Sequence, residues 1–311
     1  MKKLENGSKQ YLSVRRAFGY DLEWHEEVLK EFVRFLKRKR APYITARLAL
    51  EFAKLPKDTT LAYHARRLSI VRRFASYWKV MDPRTEVPHP GLLPFQPERA
   101  NPHIFTEAEV SKILETCRVP VARRGRMCQH TYPTLFGLIA VTGMRISEAL
   151  KLTDDCIDLD KGILTIRRTK FKKSRQLPLH ESTVKALREY IPQRNNIFPS
   201  RKDENFFLSA KGNRLVKGTM ETEFRRTMIK IGLRKKKGKY GPRIHDMRHS
   251  LAVNTMIRWY REGLDVEKRL PILSTYLGHV NPSNTYWYLS SVPELMALAA
   301  QRLEKKMGRL S

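Results

Sequence analysis

Five side chains in the second half of the chain have the types and spacings needed to hold a phosphate and to move protons beside it. Arg145 occurs in "VTGMRISEAL", His245 and Arg248 lie three residues apart in "IHDMRHS", and "YLGHVNPSNTYWYL" supplies His279 and, nine residues later, Tyr288. Guanidinium groups are permanently charged forks that bind two phosphate oxygens at once, and imidazoles exchange protons near neutral pH. Each motif alone is common, so only the combination is informative.

The elements around these residues are predicted to hold them rigidly. Arg145 follows the helix-ending Gly143 and is predicted at the first turn of the next helix, which Ile146 and Leu150 anchor in the core. Glu148, three residues after Arg145, is in position to brace its guanidinium. The three-residue spacing of the histidine and arginine in "IHDMRHS" places both side chains on one helix face.

Other catalytic motifs are absent from the sequence. There is no HExxH, no phosphate-binding P-loop and no GxSxG, and the acidic run "TDDCIDLDKG" at 153–162 is interpreted as the turn that leads into a β-hairpin. The three cysteines, Cys117, Cys128 and Cys156, have neither CxxC nor paired zinc spacing. We therefore expect no metal and no cofactor.

The composition indicates a polyanionic partner. Lysine and arginine number 61 against 31 acidic residues, which gives a formal net charge of +30 and extends over both halves of the chain. Nucleic acid is the first candidate for such a partner, and a merely solvated basic surface is the alternative. No apolar run approaches the ~18 residues of a membrane span, and no secretory signal begins the chain, so we expect a cytoplasmic, nucleoid-associated protein without a membrane partner.

The pattern of apolar residues predicts two domains joined by a linker. After an N-terminal segment at 1–20, residues 21–81 have helical periodicity, with Leu22, Val28, Leu29, Phe32, Phe35 and Leu36 as one apolar stripe. Residues 82–103 contain six prolines, which prevent a continuing helix and mark the boundary. The second domain covers 104–311 and ends in an amphipathic helix at 293–306.

Within the first domain, Asp58 is the predicted N-cap of a helix that carries Arg66 and Arg73 on its polar face, where a solvated face and phosphate contact are both open. The second domain opens with a capping box of Thr106 and Glu109. "GILTIRRTKFKKSRQLPL" predicts a hairpin or a three-stranded sheet, and "FFLS" at 206–209 predicts a strand. The later helices are predicted at 218–231, 244–260, 266–277, 282–290 and 293–306. The expected fold class is mainly α with a small antiparallel β-sheet.

Taken together and in this order, the motifs from about Phe105 to Leu295 resemble those of the tyrosine recombinase (phage integrase) family. The resemblance implies a helical core-binding domain and an α+β catalytic domain that form a C-shaped DNA clamp. It identifies Tyr288 as the nucleophile and leaves Tyr286 as a packing residue or a neighbour of the nucleophile. The catalytic positions that it implies are Arg145, Lys170, His245, Arg248, His279 and Tyr288.

The resemblance also implies a mechanism without metal or ATP. Tyr288 attacks a DNA phosphorus to give a 3′-phosphotyrosyl link, with His245 as the candidate base, His279 as a donor to the phosphate and Lys170 as the acid for the 5′ oxygen. Lys172 and Lys173 lie close to Lys170 in the hairpin, so the lysine assignment is less specific than the others. The predicted DNA contacts are Arg66, Arg73, Lys172, Lys173, Arg175 and Arg243.

The expected partners are double-stranded DNA and three further copies of the chain, in a homotetramer on two duplexes, with or without other recombinases. The resemblance is to members carried by mobile elements, which implies integration, excision or transposition, while resolution of chromosome dimers stays open. Two other classes also stay open. A type IB topoisomerase would relax supercoils without a preferred site, and an accessory DNA-binding factor would have the fold without the chemistry.

Overall fold

The computed structural model describes residues 2–20, 22–93, 101–121, 125–167, 174–201, 203–238, 240–279, 285–288 and 292–307. These residues form two compact units, one within residues 2–93 and one within residues 101–307. Among them, no helix has both the length and the apolar character needed to cross a bilayer.

The first unit consists of four helices packed around one apolar core. The apolar stripe predicted between Leu22 and Leu36 is confirmed, because all six of its members are buried. The first helix, which packs into this core through Leu4, Tyr11 and Leu12, was not predicted from the sequence. The helices are α1 (Lys2–Ala17), α2 (Glu23–Arg38), α3 (Ala46–Lys54) and α4 (Leu61–Trp78).

Helix α4 begins two residues later than the sequence predicts. Its N-cap is Thr60, whose hydroxyl accepts from the backbone N–H of Tyr63, rather than Asp58. The exposed face of α4 carries Arg66 and Arg73, as the helical wheel predicts. On the opposite face Arg67 is buried. Its guanidinium forms an ion pair with Glu31 of α2 at 2.7 Å and lies over the ring of Phe52 of α3.

The second unit packs helices against a three-stranded antiparallel sheet, which confirms the predicted fold class. The sheet has the order β1-β2-β3, with Leu164 opposite Leu177 in the β2–β3 register. The elements are α5 (Glu107–Arg118), α6 (Cys128–Thr142), α7 (Ile146–Ala149), β1 (Ile157–Asp158), β2 (Ile163–Ile166), β3 (Arg175–Pro178), α8 (Glu181–Ile197), α9 (Lys217–Lys230), α10 (Ile244–Arg261), α11 (Val266–Leu277) and α12 (Pro293–Met307).

Most of the predicted elements of this unit are present. The capping box of Thr106 and Glu109 starts α5, and the predicted bounds of α9 to α12 agree with the structure to within one residue. Of the helix predicted at 282–290, residues 285–288 are described and are helical. The strand predicted at 206–209 is wrong, since within this segment only Leu208 forms an isolated bridge, to the nearby Arg214. Asn205, just before it, forms an isolated bridge to Thr153.

Two left-handed glycines bring the elements of the site together. Gly143 ends α6 with φ +61°, and a Cβ there would lie 2.8 Å from the side chains of Leu251 and Leu277. Gly278 ends α11 with φ +70°, and a Cβ there would lie 2.6 Å from a guanidinium nitrogen of Arg175. Only glycine can adopt this left-handed conformation while neighbouring side chains lie so close to its Cα. Both turns therefore require glycine at these two positions.

Helix α12 packs on its own unit. Leu295 is buried beside Leu273 and Val253 in a small core that also contains Tyr288. On the outer side, Glu294 pairs with Arg261 of α10 at 2.8 Å. Helix α12, which follows Tyr288 in the sequence, therefore packs against its own chain in this structure.

Candidate active site

Arg145 is held between two turns of the second unit. It occupies the N-cap position of α7, and its Nη1 donates to Oε1 of Glu148 at 2.7 Å, the contact that their spacing predicts. Its Nη2 donates to the carbonyl oxygen of Gly278 at 3.0 Å, which joins the arginine to the turn that carries His279. Part of the guanidinium side chain remains exposed, so it can reach a ligand.

Arg175 shares the carboxylate of Glu148 with Arg145. Its Nη2 donates to Glu148 Oε2 at 2.8 Å, and its Nε donates to the carbonyl of Tyr276 at 3.0 Å. The sequence predicted Arg175 as a DNA contact, and in the structure its side chain is mostly buried with hydrogen bonds to Glu148 and to the carbonyl of Tyr276. We assign Arg175 to positioning Glu148 and the end of α11.

Glu148 stays ionised in this arrangement. Burial raises the pKa of its carboxyl, but the hydrogen bonds and charges of Arg175 and Arg145 outweigh burial, and the pKa lies below its ordinary value. One buried carboxylate thus fixes two guanidinium groups that come from α7 and from β3.

Arg248 is a buried cation with an incomplete set of partners. Its side chain on α10 is 1% exposed, and its Nη1 donates to the carbonyl of Gly143 at 2.6 Å. Its Nη2 is buried without a hydrogen-bond partner, and within the described parts of the chain no carboxylate forms an ion pair with it. Burial, followed by the charge of Arg145, lowers the pKa of Arg248 to about 10, so the group is still charged at neutral pH.

Tyr288 lies against the imidazoles of the site. Its ring is 1% exposed and packs 5.3 Å from the ring of His249 and 6.5 Å from that of His279, between centroids. Its Oη is 2.8 Å from Nδ1 of His249. Tyr286 is 48% exposed, which excludes packing and leaves the predicted alternative, a neighbour of the nucleophile, whereas Tyr288 is the tyrosine that the fold buries at the site.

The two predicted histidines flank this contact. His245 lies one turn before His249 on α10, with ring centroids 4.6 Å apart. His279 follows the left-handed Gly278, and its Nδ1 is 2.8 Å from the hydroxyl of Thr285. The structure therefore gathers Arg145, His245, Arg248, His279 and Tyr288 in the same region of the second unit.

All three imidazoles are neutral at pH 7. Burial, followed by the charge of Arg248, lowers the pKa of His245 to about 4 and that of His279 to about 3. Burial, followed by His245, lowers the pKa of His249 to about 4. A neutral imidazole offers one donor and one acceptor, so each ring can bind a phosphate oxygen or accept a proton.

A basic pocket of about 620 Å³ opens beside these residues. His245 lines it at one end, and Glu221 is its one acidic lining residue among those described. The sequence predicted functional roles for Arg145 and Arg243 by number and missed Lys217 and Arg225, which lie on a helix without a motif. The basic residues that line it are Arg145, Lys217, Arg225, Arg234 and Arg243.

Arg243, a predicted DNA contact, is the N-cap residue of α10; its Nη2 donates to Oδ1 of Asp246 at 2.8 Å, and about half of its side chain is exposed. The predicted Lys170, Lys172 and Lys173 lie outside the described residues. Among the described residues, no group of three His, Cys, Asp or Glu side chains is placed to hold a metal ion.

His249 was missed by sequence reasoning. It directly follows Arg248 in "IHDMRHS" and lies four residues after His245, so helical spacing alone puts it on the face of the first histidine. That spacing was the available signal, and the resemblance directed attention to the histidine and arginine before it.

Comparison with known proteins agrees with this geometry. The model of the phage integrase family matches residues 103–294. The y4rB protein of Sinorhizobium fredii, named as an integrase/recombinase, is 43% identical over 303 residues, which cover 96% of each chain. The tyrosine recombinase XerA of Thermococcus kodakarensis is 28% identical over 85% of each chain.

The fold is shared with solved recombinase structures. The Tn1549 transposon integrase in complex with transposon right-end DNA superposes with a TM-score of 0.64 at 17% identity, over 96% of this chain and 98% of the other. The XerH recombinase in its post-cleavage complex with the palindromic difH substrate superposes with a TM-score of 0.63 at 20% identity, over 90% of this chain and 79% of that chain. The family match, the relatives and the arrangement of arginines and histidines around a tyrosine agree, and the chain belongs to the phage integrase family of tyrosine recombinases.

Proposed function

We propose that this protein is a site-specific DNA recombinase that cuts and rejoins duplex DNA through a 3′-phosphotyrosyl link to Tyr288. The observation that carries the proposal is the buried guanidinium of Arg248, whose Nη2 has no partner among the described residues. An unpaired buried charge is costly, and a bound anion would compensate it. A DNA phosphate is the anion that the charge of +30 and the recombinase relatives support.

The charges of the site agree with an anionic ligand. Arg145 and Arg175 share Glu148, Arg243 pairs with Asp246, and Arg248 adds a further positive charge. These four guanidinium groups and two carboxylates leave an excess of positive charge around Tyr288. Such preorganised charge stabilises the second negative charge that develops when a nucleophile adds to a phosphodiester.

The proposed reaction follows from these positions. Arg145 and Arg248 bind the non-bridging oxygens of the scissile phosphate, and the Tyr288 oxygen attacks phosphorus from the opposite side to the departing 5′ oxygen. An imidazole of the cluster accepts the phenol proton, and Lys170 is the proposed acid that protonates the 5′ oxygen. One phosphodiester is exchanged for another, so a 5′-hydroxyl can reverse the step without ATP.

The identity of that returning hydroxyl decides the outcome. If it comes from a different strand the result is recombination, whereas return of the original strand would only relax supercoils. We propose recombination by four copies on two duplexes, on an element that moves in its host genome. The support is the relatedness to integrases and recombinases, including the shared fold of a transposon integrase.

Covalent trapping tests the proposal. The protein is incubated with sheared DNA of its source genome, denatured, and the attached DNA is sequenced to find the cleavage site. A nicked duplex with that site then traps the cleaved state, because the short 5′-hydroxyl fragment diffuses away. We expect a covalent protein–DNA band on a denaturing gel from wild type, none from Tyr288→Phe, and an undiminished band from Tyr286→Phe.

The pair of tyrosine variants is the matched control, since the two residues lie two positions apart and differ in burial. A band that survives Tyr288→Phe and disappears with Tyr286→Phe would move the nucleophile. Specific DNA binding by the wild-type protein with no covalent product would support an accessory DNA-binding factor, and relaxation of any plasmid without site preference would support a topoisomerase.

A further inference from the structure

The hydroxyl of Tyr288 is in close contact with His249, a residue outside the predicted catalytic set. Oη of the tyrosine and Nδ1 of the histidine are 2.8 Å apart, a normal distance for a hydrogen bond to a phenol. The sequence assigned the base to His245, yet His249 is the imidazole in hydrogen-bond contact with the reacting oxygen.

The His249 ring is held by packing on two sides. The ring of His245 meets it edge to face at 4.6 Å, and the ring of Trp287, the residue before the nucleophile, lies 5.8 Å away. His249 itself belongs to α10, the helix that also supplies Arg248. The orientation of Nδ1 toward the phenol is thus fixed by the same helix that positions the phosphate-binding guanidinium.

We propose that His249 is a catalytic residue, the group that holds the Tyr288 hydroxyl and takes its proton during attack. This inference rests on the proposed function of the site. In the step, the Oη–H bond of Tyr288 breaks as the Oη–P bond forms, and the proton passes to Nδ1 of His249. The P–O5′ bond breaks, and the leaving oxygen takes its proton from the acid of the site.

This step requires a neutral imidazole with its ring proton on Nε2. Burial keeps His249 neutral at pH 7, because its pKa lies at about 4. The charged or titratable groups that act on it are His245, Asp246, Arg243 and Arg248 of its own helix, with Tyr288 and His279 opposite. With this assignment, His245 and His279 serve as donors to the phosphate oxygens.

Two substitutions of His249 distinguish a general base from a residue that only accepts a hydrogen bond from the Tyr288 hydroxyl. His249→Ala removes the ring, whereas His249→Asn places a neutral amide oxygen near the position of Nδ1, which keeps an acceptor but cannot take the proton. We expect both variants to form the covalent product on the order of 10²-fold more slowly than wild type in single-turnover assays. Free imidazole should restore part of the rate of His249→Ala.

The control is His130→Ala, which removes a half-buried histidine from a different pocket and should cut at the wild-type rate. Circular dichroism and thermal melting show whether each variant is folded, and imidazole rescue measures the base directly in molecules that are folded. A wild-type rate in His249→Asn would overturn the proposal, since an acceptor alone would then suffice. Slow cleavage that imidazole does not restore would also contradict it, whereas a wild-type protein that forms no adduct would contradict the proposed function.

Discussion

Two buried arginines of the second unit show how a structural cation differs from one kept for a ligand. Arg194 of α8 and Arg248 of α10 are each 1% exposed. Arg194 donates to both carboxylate oxygens of Asp154, at 2.7 and 3.1 Å, and to the carbonyl of Phe206 at 3.0 Å. Arg248 donates to one carbonyl, and its Nη2 has no partner in the described structure.

Arg194 and Arg248 are equally buried, and they differ in how many of their guanidinium N–H groups have a hydrogen-bond partner. A bidentate carboxylate compensates the charge of Arg194 and satisfies its geometry, so this arginine contributes to the fold alone. The charge of Arg248 lacks a carboxylate, and its cost to folding is explained if a phosphate completes the set during function. A buried guanidinium that lacks partners for some of its N–H groups is therefore a better sign of an anion-binding site than an exposed guanidinium.

The most severe test of the comparison replaces each arginine by methionine, which keeps much of the volume and removes the charge. Arg248→Met should slow covalent cleavage on the order of 10²-fold or more while the free energy of unfolding stays equal or rises. Arg194→Met should leave the cleavage rate of folded protein unchanged and lower the free energy of unfolding by about 1–3 kcal/mol. Single-turnover cleavage and urea unfolding measure the two quantities, and an exchange of these two patterns would refute the distinction.

A smaller effect is expected at Glu148, where one carboxylate serves two arginines. Glu148→Gln keeps the shape but leaves Arg145 and Arg175 without an anion, so we expect a loss of about 3 kcal/mol in the free energy of unfolding. Misplacement of Arg145 should also slow cleavage on the order of 10-fold. Glu148→Asp, which keeps the charge on a shorter side chain, should recover part of both. A wild-type free energy of unfolding and a wild-type cleavage rate in Glu148→Gln would show that the ion pairs of Glu148 contribute to neither stability nor catalysis.

The stability of the protein should also depend on pH through the three imidazoles, and this can be measured without any substrate. The pKa values of His245, His249 and His279 are lowered from 6.5 to about 4, 4 and 3 in the folded state. Below pH 6.5 the unfolded chain binds protons that the folded chain does not, so the free energy of unfolding should fall between pH 7 and pH 4. Urea unfolding at pH 7 and pH 5 measures this, and His249→Gln should flatten the dependence. Equal stability of wild type at both pH values would show that the rings are not kept neutral by the fold.

Local signals made much of the fold predictable from sequence. The capping box at Thr106, the glycine after α6 and the apolar stripe of α2 act within a few residues, and each is present. The segment at 206–209 has the composition of a strand, but tertiary packing places its aromatic residues in the core without a strand partner. The N-terminal helix α1 was missed because its stability comes from packing on the other helices of its unit.

Only those residues of the site that belong to recognisable sequence motifs could be predicted. Arg145, His245, Arg248, His279 and Tyr288 occur in recognisable motifs, and the structure brings them together. The partner of Arg175 is 27 residues away in sequence, and the contact of His249 spans 39 residues, so no local pattern could assign either. Their assignment needed the fold, because it depends on which side chains meet across helices and strands.

The proposed reaction joins the buried phenol of Tyr288 to a DNA 3′-phosphate that Arg248 holds. The trapped complex can be digested with nuclease and protease, and the peptide that carries the nucleotide can be identified by mass spectrometry. We expect a 3′-phosphonucleotide on the peptide that contains residues 285–288, with fragmentation that places it on Tyr288, and a free 5′-hydroxyl on the other DNA end. A nucleotide on Tyr286, or a link through a 5′-phosphate, would contradict it.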